Sequence, residues 1–193
     1  LADLARSLPP ACLLVVDEAY IEFAGEGASL LPRLAEFPNV ALMRTFSKVY
    51  GLAGLRIGYA ILPQAIADYM WRVRLPFSLN ILAEEAALAA LKDVEFREKT
   101  VAMVEKGRAE LTAALESMGC TVIPSRSNFI MFRPAAGGPG VKELHTGLLK
   151  KGIIIRALGG YHLPEWLRVS VGTEEENALF IEYARGILEN GNA

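Results

Sequence analysis

Thr45-Phe46-Ser47-Lys48-Val49-Tyr50-Gly51-Leu52-Ala53-Gly54-Leu55-Arg56 sets two hydroxyls, a lysine and an arginine around a glycine-bearing turn. Residues 40–44 before it and 56–62 after it are short apolar runs that read as strands. Upstream, Cys12-Leu13-Leu14-Val15-Val16 is a continuous apolar run. That is the pattern of a strand buried on both faces of a parallel sheet, with Cys12 as a buried thiol. The run leads into Asp17-Glu18-Ala19-Tyr20. Open α/β sheets bind ligands beyond the carboxyl ends of their strands, so Asp17, Tyr20 and the 45–56 segment are expected to converge there.

The groups gathered in this way suit one kind of chemistry. A lysine amine can hold a carbonyl cofactor covalently. An arginine and nearby hydroxyls can grip a phosphate ester. A carboxylate can keep a heterocyclic nitrogen protonated, so that the ring withdraws electrons from a carbanion. A phenol can hydrogen-bond a ring oxygen. Pyridoxal 5'-phosphate (PLP) requires this set of groups. Each residue alone has a plainer reading: Lys48 as a solvated charge, Asp17 as a turn cap, Tyr20 as a core aromatic, Arg56 as a surface ion-pair member, Thr45 as a partner for local backbone. Their joint placement at strand ends favours the catalytic reading. Gly51 and Gly54 read as backbone accommodation rather than a phosphate cradle, and no dinucleotide-binding glycine pattern follows a strand.

This arrangement resembles the fold-type-I PLP-dependent aminotransferases (class I/II), whose hallmarks are an aspartate closely followed by a tyrosine, then a serine–lysine pair, then an arginine. Here these read as Asp17 and Tyr20, Ser47-Lys48, and Arg56. The resemblance implies that Lys48 is catalytic and carries the cofactor as a Schiff base. It places Asp17 at the pyridine nitrogen, Tyr20 at the ring oxygen, and Thr45, Ser47 and Arg56 at the cofactor phosphate.

Within the family, four segments resemble the histidinol-phosphate aminotransferases. They are Val16-Asp17-Glu18-Ala19-Tyr20, Arg44-Thr45-Phe46-Ser47-Lys48, Gly51-Leu52-Ala53-Gly54-Leu55-Arg56-Ile57-Gly58, and Leu167-Arg168-Val169-Ser170-Val171-Gly172-Thr173-Glu174-Glu175-Glu176-Asn177. On that resemblance Arg168 binds the α-carboxylate of glutamate or 2-oxoglutarate and Arg156 the phosphate of histidinol phosphate, in a transamination of histidine biosynthesis. A homodimer of the full-length protein is also implied. Alternatives on the same scaffold are an aromatic amino-acid aminotransferase, a threonine-phosphate decarboxylase, and a non-catalytic regulatory binding domain.

The rest of the chain supplies an α/β frame. Helices are expected over 30–36, 64–74, 80–91 and 94–118, the last with apolar Val101, Val104, Leu111 and Leu115 at helical spacing and a stop at Gly119. After that the texture changes to short strands at 121–123, 128–132, 153–156 and 167–171, with helices over 141–150 and 174–188. Thr173 is the expected N-cap of the second of these. Residues 1–92 are therefore read as the C-terminal part of the cofactor-binding large domain, a mostly parallel sheet with helices. Residues 93–193 are read as a small α+β C-terminal domain.

Bulk properties narrow the partners. The chain has 193 residues, 52% hydrophobic and 22% charged, which suits a packed core rather than disorder. A net charge of -2 gives no basic surface for nucleic acid, and no apolar run reaches membrane-span length. Cys12 and Cys120 form no CxxC pair, which fits a reducing cytoplasm. His145 and His162 lack metal-ligand spacing, and Tyr161 and Trp166 read as packing residues. The chain starts without Met, just before an apolar strand. A C-terminal fragment is therefore expected. By the resemblance, it lacks the N-terminal arm, a phosphate-binding loop, an aromatic that stacks on the ring and an asparagine near the ring oxygen.

Overall fold

A computed structural model describes residues 1–9 and 11–190. It divides into two units, Leu1–Thr100 and Val101–Ala193. In the first unit, α1 (Ala2–Ser7), β1 (Leu14–Asp17), α2 (Ile21–Ala24), β2 (Val40–Thr45), β3 (Gly58–Ile61), α3 (Gln64–Val73) and α4 (Ile81–Lys92) follow in order, and α5 (Val94–Ser117) begins. The sheet order is β1-β2-β3. β1 and β2 are parallel, with Val16 opposite Leu42. β3 returns antiparallel, with Thr45 opposite Gly58. A parallel third strand would need a crossover element. The segment between β2 and β3 holds only tight turns and the single 3-10 turn Ala53–Leu55, so the chain doubles back.

Alternation along these strands sorts the side chains onto two faces. Val16, Val40 and Leu42 share a core with Ala5, Leu30 and Phe37. The other face of β1 is open, with Val15 51% exposed. The expected burial on both faces thus holds on one side only, because the elements of this unit that pack on β1 cover one face. Cys12 precedes the strand and is exposed, contrary to the buried thiol read from its apolar neighbours. Cys120 is buried, and burial pushes its thiol up to about 11. Since the thiolate is the reactive form, a thiol-specific chromogenic reagent at neutral pH is expected to label Cys12 rapidly and Cys120 only after unfolding.

Two further boundaries moved. The strand expected from residue 56 starts at Gly58, because Arg56 takes a left-handed backbone, φ 53°. Asn80 proves to be the N-cap of α4, its side chain accepting from the Ala83 N–H at 2.8 Å.

The second unit holds a four-stranded antiparallel sheet of β4 (Thr121–Ile123), β5 (Phe129–Arg133), β6 (Arg156–Ala157) and β7 (Leu167–Ser170), in the order β4-β5-β7-β6. α6 (Val141–Lys150) packs against α7 (Glu174–Asn190). Ile130, Phe132, Leu167 and Val169 form the buried sheet face, and Phe132 meets Phe180 of α7 edge-on at 6.2 Å. The strand expected over 153–156 shrinks to Arg156–Ala157. The Ile153 N–H is spent on the Leu148 carbonyl at the end of α6, and Ile154 is exposed. Tyr161 is exposed rather than packed, whereas Trp166 lies under the Arg133 guanidinium. The Thr173 hydroxyl accepts from Glu176 N–H at 3.2 Å while the Glu176 carboxylate accepts from Thr173 N–H at 2.9 Å, a reciprocal cap on α7.

In α5 most of the expected stripe holds: Val104, Leu111 and Leu115 are buried, while Val101 is half-buried. Gly107 lies between them for a steric reason. A Cβ there would stand 2.6 Å from a methyl of Val171 and 2.7 Å from the Asn177 amide. Gly107→Ala gains helix propensity but overpacks the contact. It is expected to lower unfolding stability by about 1–3 kcal/mol, read as a shift of the urea midpoint at constant slope.

Candidate active site

β1 and β2 end side by side, with Asp17 opposite Met43 and Thr45 closing the second strand. The chain then tightens. The Thr45 hydroxyl accepts from Ser47 N–H at 3.1 Å, Gly51 N–H donates to the Lys48 carbonyl at 3.0 Å, and Leu52 N–H donates to the Phe46 carbonyl at 3.0 Å. Gly51 permits this at φ 69°, a conformation costly for any residue with a Cβ. Phe46, Val49 and Tyr50 are buried beneath, with the Phe46 and Tyr50 rings 5.1 Å apart. Lys48 is therefore carried on a loop pinned by its own backbone and by a small aromatic core.

The Lys48 amine lies 4.9 Å from the centroid of the Tyr20 ring. Among the described residues no carboxylate comes within ion-pair distance of it. Asp17 is exposed, and one carboxylate oxygen accepts from Ala19 N–H at 3.0 Å. This turn-cap bond leaves acceptor positions open, since a carboxylate has about four. Arg56 is exposed, and its guanidinium donates to the Ala53 carbonyl at 2.9 Å, folding the side chain back towards the turn that follows Lys48. Asp17, Tyr20, Thr45, Ser47, Lys48 and Arg56 thus share one end of one sheet.

One group escaped notice in the sequence. Glu18 has a side chain only 3% exposed and is paired with Arg44 at 2.8 Å. Its oxygens also accept from the Ser29 hydroxyl and from Leu30 N–H, both at 3.0 Å. This knot ties the ends of β1 and β2 to the loop before the Leu31–Glu36 turn, directly behind Asp17 and Thr45. The available signal was Arg44 inside an apolar strand, since a charge there needs a partner. Close by, burial raises the Glu22 carboxyl above the ordinary range, against the opposing influence of its own backbone hydrogen bond, Arg44 and Arg97. Burial likewise pushes the Tyr50 phenol up.

In the second unit, Arg156 on β6 stands opposite Arg168 on β7. Like charges facing each other across strands repel. No described carboxylate pairs with either one, and the Arg168 guanidinium rests over the Phe129 ring at 4.8 Å. Both arginines line a cavity of about 460 Å3.

Set against PLP, the first unit offers an amine without an acid partner among the described residues, a carboxylate with an open oxygen, and two hydroxyls and a guanidinium on the segment that carries the amine. These residues fit that group. The model of the class I and II aminotransferase family matches residues 1–183. The chain belongs to this family.

Relatives within the aminotransferase family are close. A histidinol-phosphate aminotransferase from Nitratidesulfovibrio vulgaris is 56% identical over 97% of this chain and 50% of its own length. One from Oleidesulfovibrio alaskensis is 55% identical over 96% of this chain and 49% of its own. Among solved structures, the histidinol-phosphate aminotransferase from Sinorhizobium meliloti in complex with pyridoxal-5'-phosphate matches with a TM-score of 0.88 at 30% identity, covering 97% of this chain and 52% of that one. The chain spans about half the length of the curated relatives it matches. The α/β architecture is that of the aminotransferase structures. Among the described residues no helix is long and apolar enough to cross a membrane.

Proposed function

We propose that the protein bearing this chain is a PLP-dependent aminotransferase that moves an amino group between L-histidinol phosphate and 2-oxoglutarate, giving imidazole-acetol phosphate and glutamate. The observation that carries this reading is the Lys48 amine, held over Tyr20 at the carboxyl end of the parallel strand pair with no acid partner among the described residues. The likeness to the histidinol-phosphate aminotransferases, at 56% identity, supports the substrate. Residues 1–92 are the proposed share of the cofactor domain, and residues 93–193 the small domain.

When bound, PLP supplies an electron-withdrawing ring that stabilises negative charge at the substrate α-carbon. The open oxygen of Asp17 would keep a proton at the ring nitrogen. The Tyr20 hydroxyl would serve the ring oxygen. Thr45, Ser47 and Arg56 would hold the cofactor phosphate, the guanidinium through charge-assisted bonds. With the cofactor in place, Lys48 Nζ would take the substrate α-proton as the general base and deliver it to the cofactor's former aldehyde carbon, not back to the α-carbon. Histidinol phosphate lacks an α-carboxylate, so Arg168 serves glutamate and 2-oxoglutarate, while Arg156 takes the phosphate. Two opposed guanidiniums without a carboxylate between them suit a pocket that admits two anions of different shape.

A homodimer is part of this proposal. The stretch from α3 to α4 bares large apolar side chains, with Trp71 67%, Phe77 96% and Ile81 76% exposed. Such a patch is normally covered in a soluble protein. The substrates are soluble phosphorylated and dicarboxylic acids, which fits work in the cytoplasm.

The test is a set of single-turnover half-reactions on the PLP-loaded protein with histidinol phosphate, phenylalanine and threonine phosphate. Conversion of the cofactor to its amine form is expected to be fastest with histidinol phosphate. Carbon dioxide release from threonine phosphate, or preference for phenylalanine, would replace the reading. Arg168→Ala is expected to raise KM for 2-oxoglutarate by about tenfold to a hundredfold, the loss of a bidentate charge-assisted pair, measured by steady-state kinetics.

A further inference from the structure

We infer that His145 is a further substrate-binding residue, a third donor to the phosphate of the phosphorylated substrate. The inference rests on reading Arg156 and Arg168 as the anion site. His145 lines the same cavity of about 460 Å3 as Arg156, Arg168 and Ser170, with Ile154 and Ile155 as apolar wall. It is half-buried and has no hydrogen bond or ion pair among the described residues. A ring nitrogen held by a protein partner has less capacity to donate to a ligand. His145 is left with its ring nitrogens uncommitted beside two uncompensated cations.

The helix that carries it is well fixed. Leu144 and Leu148, on either side of His145 in α6, are fully buried. Gly147 lets α6 approach Ile187 of α7 so closely that a Cβ would stand 2.7 Å from its Cδ1. The imidazole is thus presented from a rigid element, which binding sites favour over loops. The chemistry selects phosphate over carboxylate. A phosphate monoester carries close to two negative charges and three strong acceptor oxygens. One guanidinium fork satisfies two of them. The remaining oxygen needs a donor from another direction, and an imidazole N–H supplies it whether the ring is neutral or charged. A carboxylate, with two oxygens already held by Arg168, has no use for it. His145 therefore adds to affinity on the phosphorylated half of the reaction and leaves the dicarboxylate half unchanged.

Calorimetric titration of the 193-residue chain with inorganic phosphate, and with acetate as the carboxylate control, tests this. His145→Ala is expected to weaken phosphate binding by roughly tenfold, the loss of one charge-assisted hydrogen bond, with acetate binding changed less than twofold. His145→Gln, which keeps a donor, is expected to restore most of the phosphate affinity. Equal loss of phosphate and acetate binding in His145→Ala overturns the inference, because that is what a structural disturbance of α6 gives. Unchanged phosphate affinity in His145→Ala, with Arg156→Ala weakened, overturns it while leaving the arginine site intact. Absence of phosphate binding in the unmutated chain removes the anion site itself and the inference with it.

Discussion

Lys48→Ala in the PLP-loaded protein is expected to slow transamination by at least about four orders of magnitude, the upper range for loss of a positioned acid–base group. Lys48 both attaches the cofactor and moves the α-proton in the proposed reaction, so no neighbouring residue replaces it. Tyr20, whose ring lies 4.9 Å from the amine, is a phenol rather than an amine and cannot form the covalent link. Lys48→Arg is expected to be as inactive, since a guanidinium stays protonated at any working pH and offers no lone pair. Stability separates this from a folding defect. Among the described residues the Lys48 amine has no carboxylate partner, so its removal forfeits chiefly the contact with the Tyr20 ring, about 0.5–1 kcal/mol. Single-turnover spectra and a urea titration on the same variant read the two effects independently. Transamination at unmutated rates in Lys48→Ala would falsify the catalytic assignment.

Glu18→Ala is expected to produce the largest stability loss in the first unit, about 3–5 kcal/mol, the cost of stranding one partner of a buried ion pair. The side chain is 3% exposed and that of Arg44 16% exposed. The carboxylate accepts from Arg44 at 3.0 and 2.8 Å, from the Ser29 hydroxyl and from Leu30 N–H. Truncation leaves a guanidinium, a hydroxyl and an amide without their acceptor, each carrying a desolvation cost. Glu18→Gln, which keeps the shape and one acceptor oxygen, is expected to cost less. A double replacement, Glu18→Leu with Arg44→Met, is expected to cost less than the sum of its singles, because the stranded charge disappears with its partner. Urea unfolding midpoints across the parent, Glu18→Ala, Glu18→Gln, the two singles Glu18→Leu and Arg44→Met, and their double measure this; a Glu18→Ala midpoint unmoved from the parent contradicts it. The exposed pairs Arg33–Glu36 and Lys99–Glu95 are solvated and carry no comparable expectation.

These two residues also mark how far the sequence could be read. Lys48 was legible because its neighbours are local: Thr45, Ser47, Gly51 and Arg56 lie on one turn between apolar runs, and runs of that kind end where α/β sheets bind ligands. Glu18 was not legible. Its partners Ser29, Leu30 and Arg44 come from separate segments and meet only when β1 and β2 pair. Helices with strong periodicity, such as α5, were placed to within a residue or two, since a buried stripe at helical spacing has one solution. The strand expected over 153–156 was not, because an apolar run does not say which donor its backbone will find. Here the Ile153 N–H met the end of α6 instead of a neighbouring strand.

By itself the sequence determined the family, through its motifs, and the side-chain types that gather at the strand ends of the first unit, through local order and alternation. Only the tertiary structure decided that Arg156 and Arg168 face each other, that Glu18 is the buried anchor of Arg44, and that one face of β1 stays open. Register, cross-strand pairing and coverage of a sheet face depend on which distant segments come together, and no residue carries that information in its own neighbourhood.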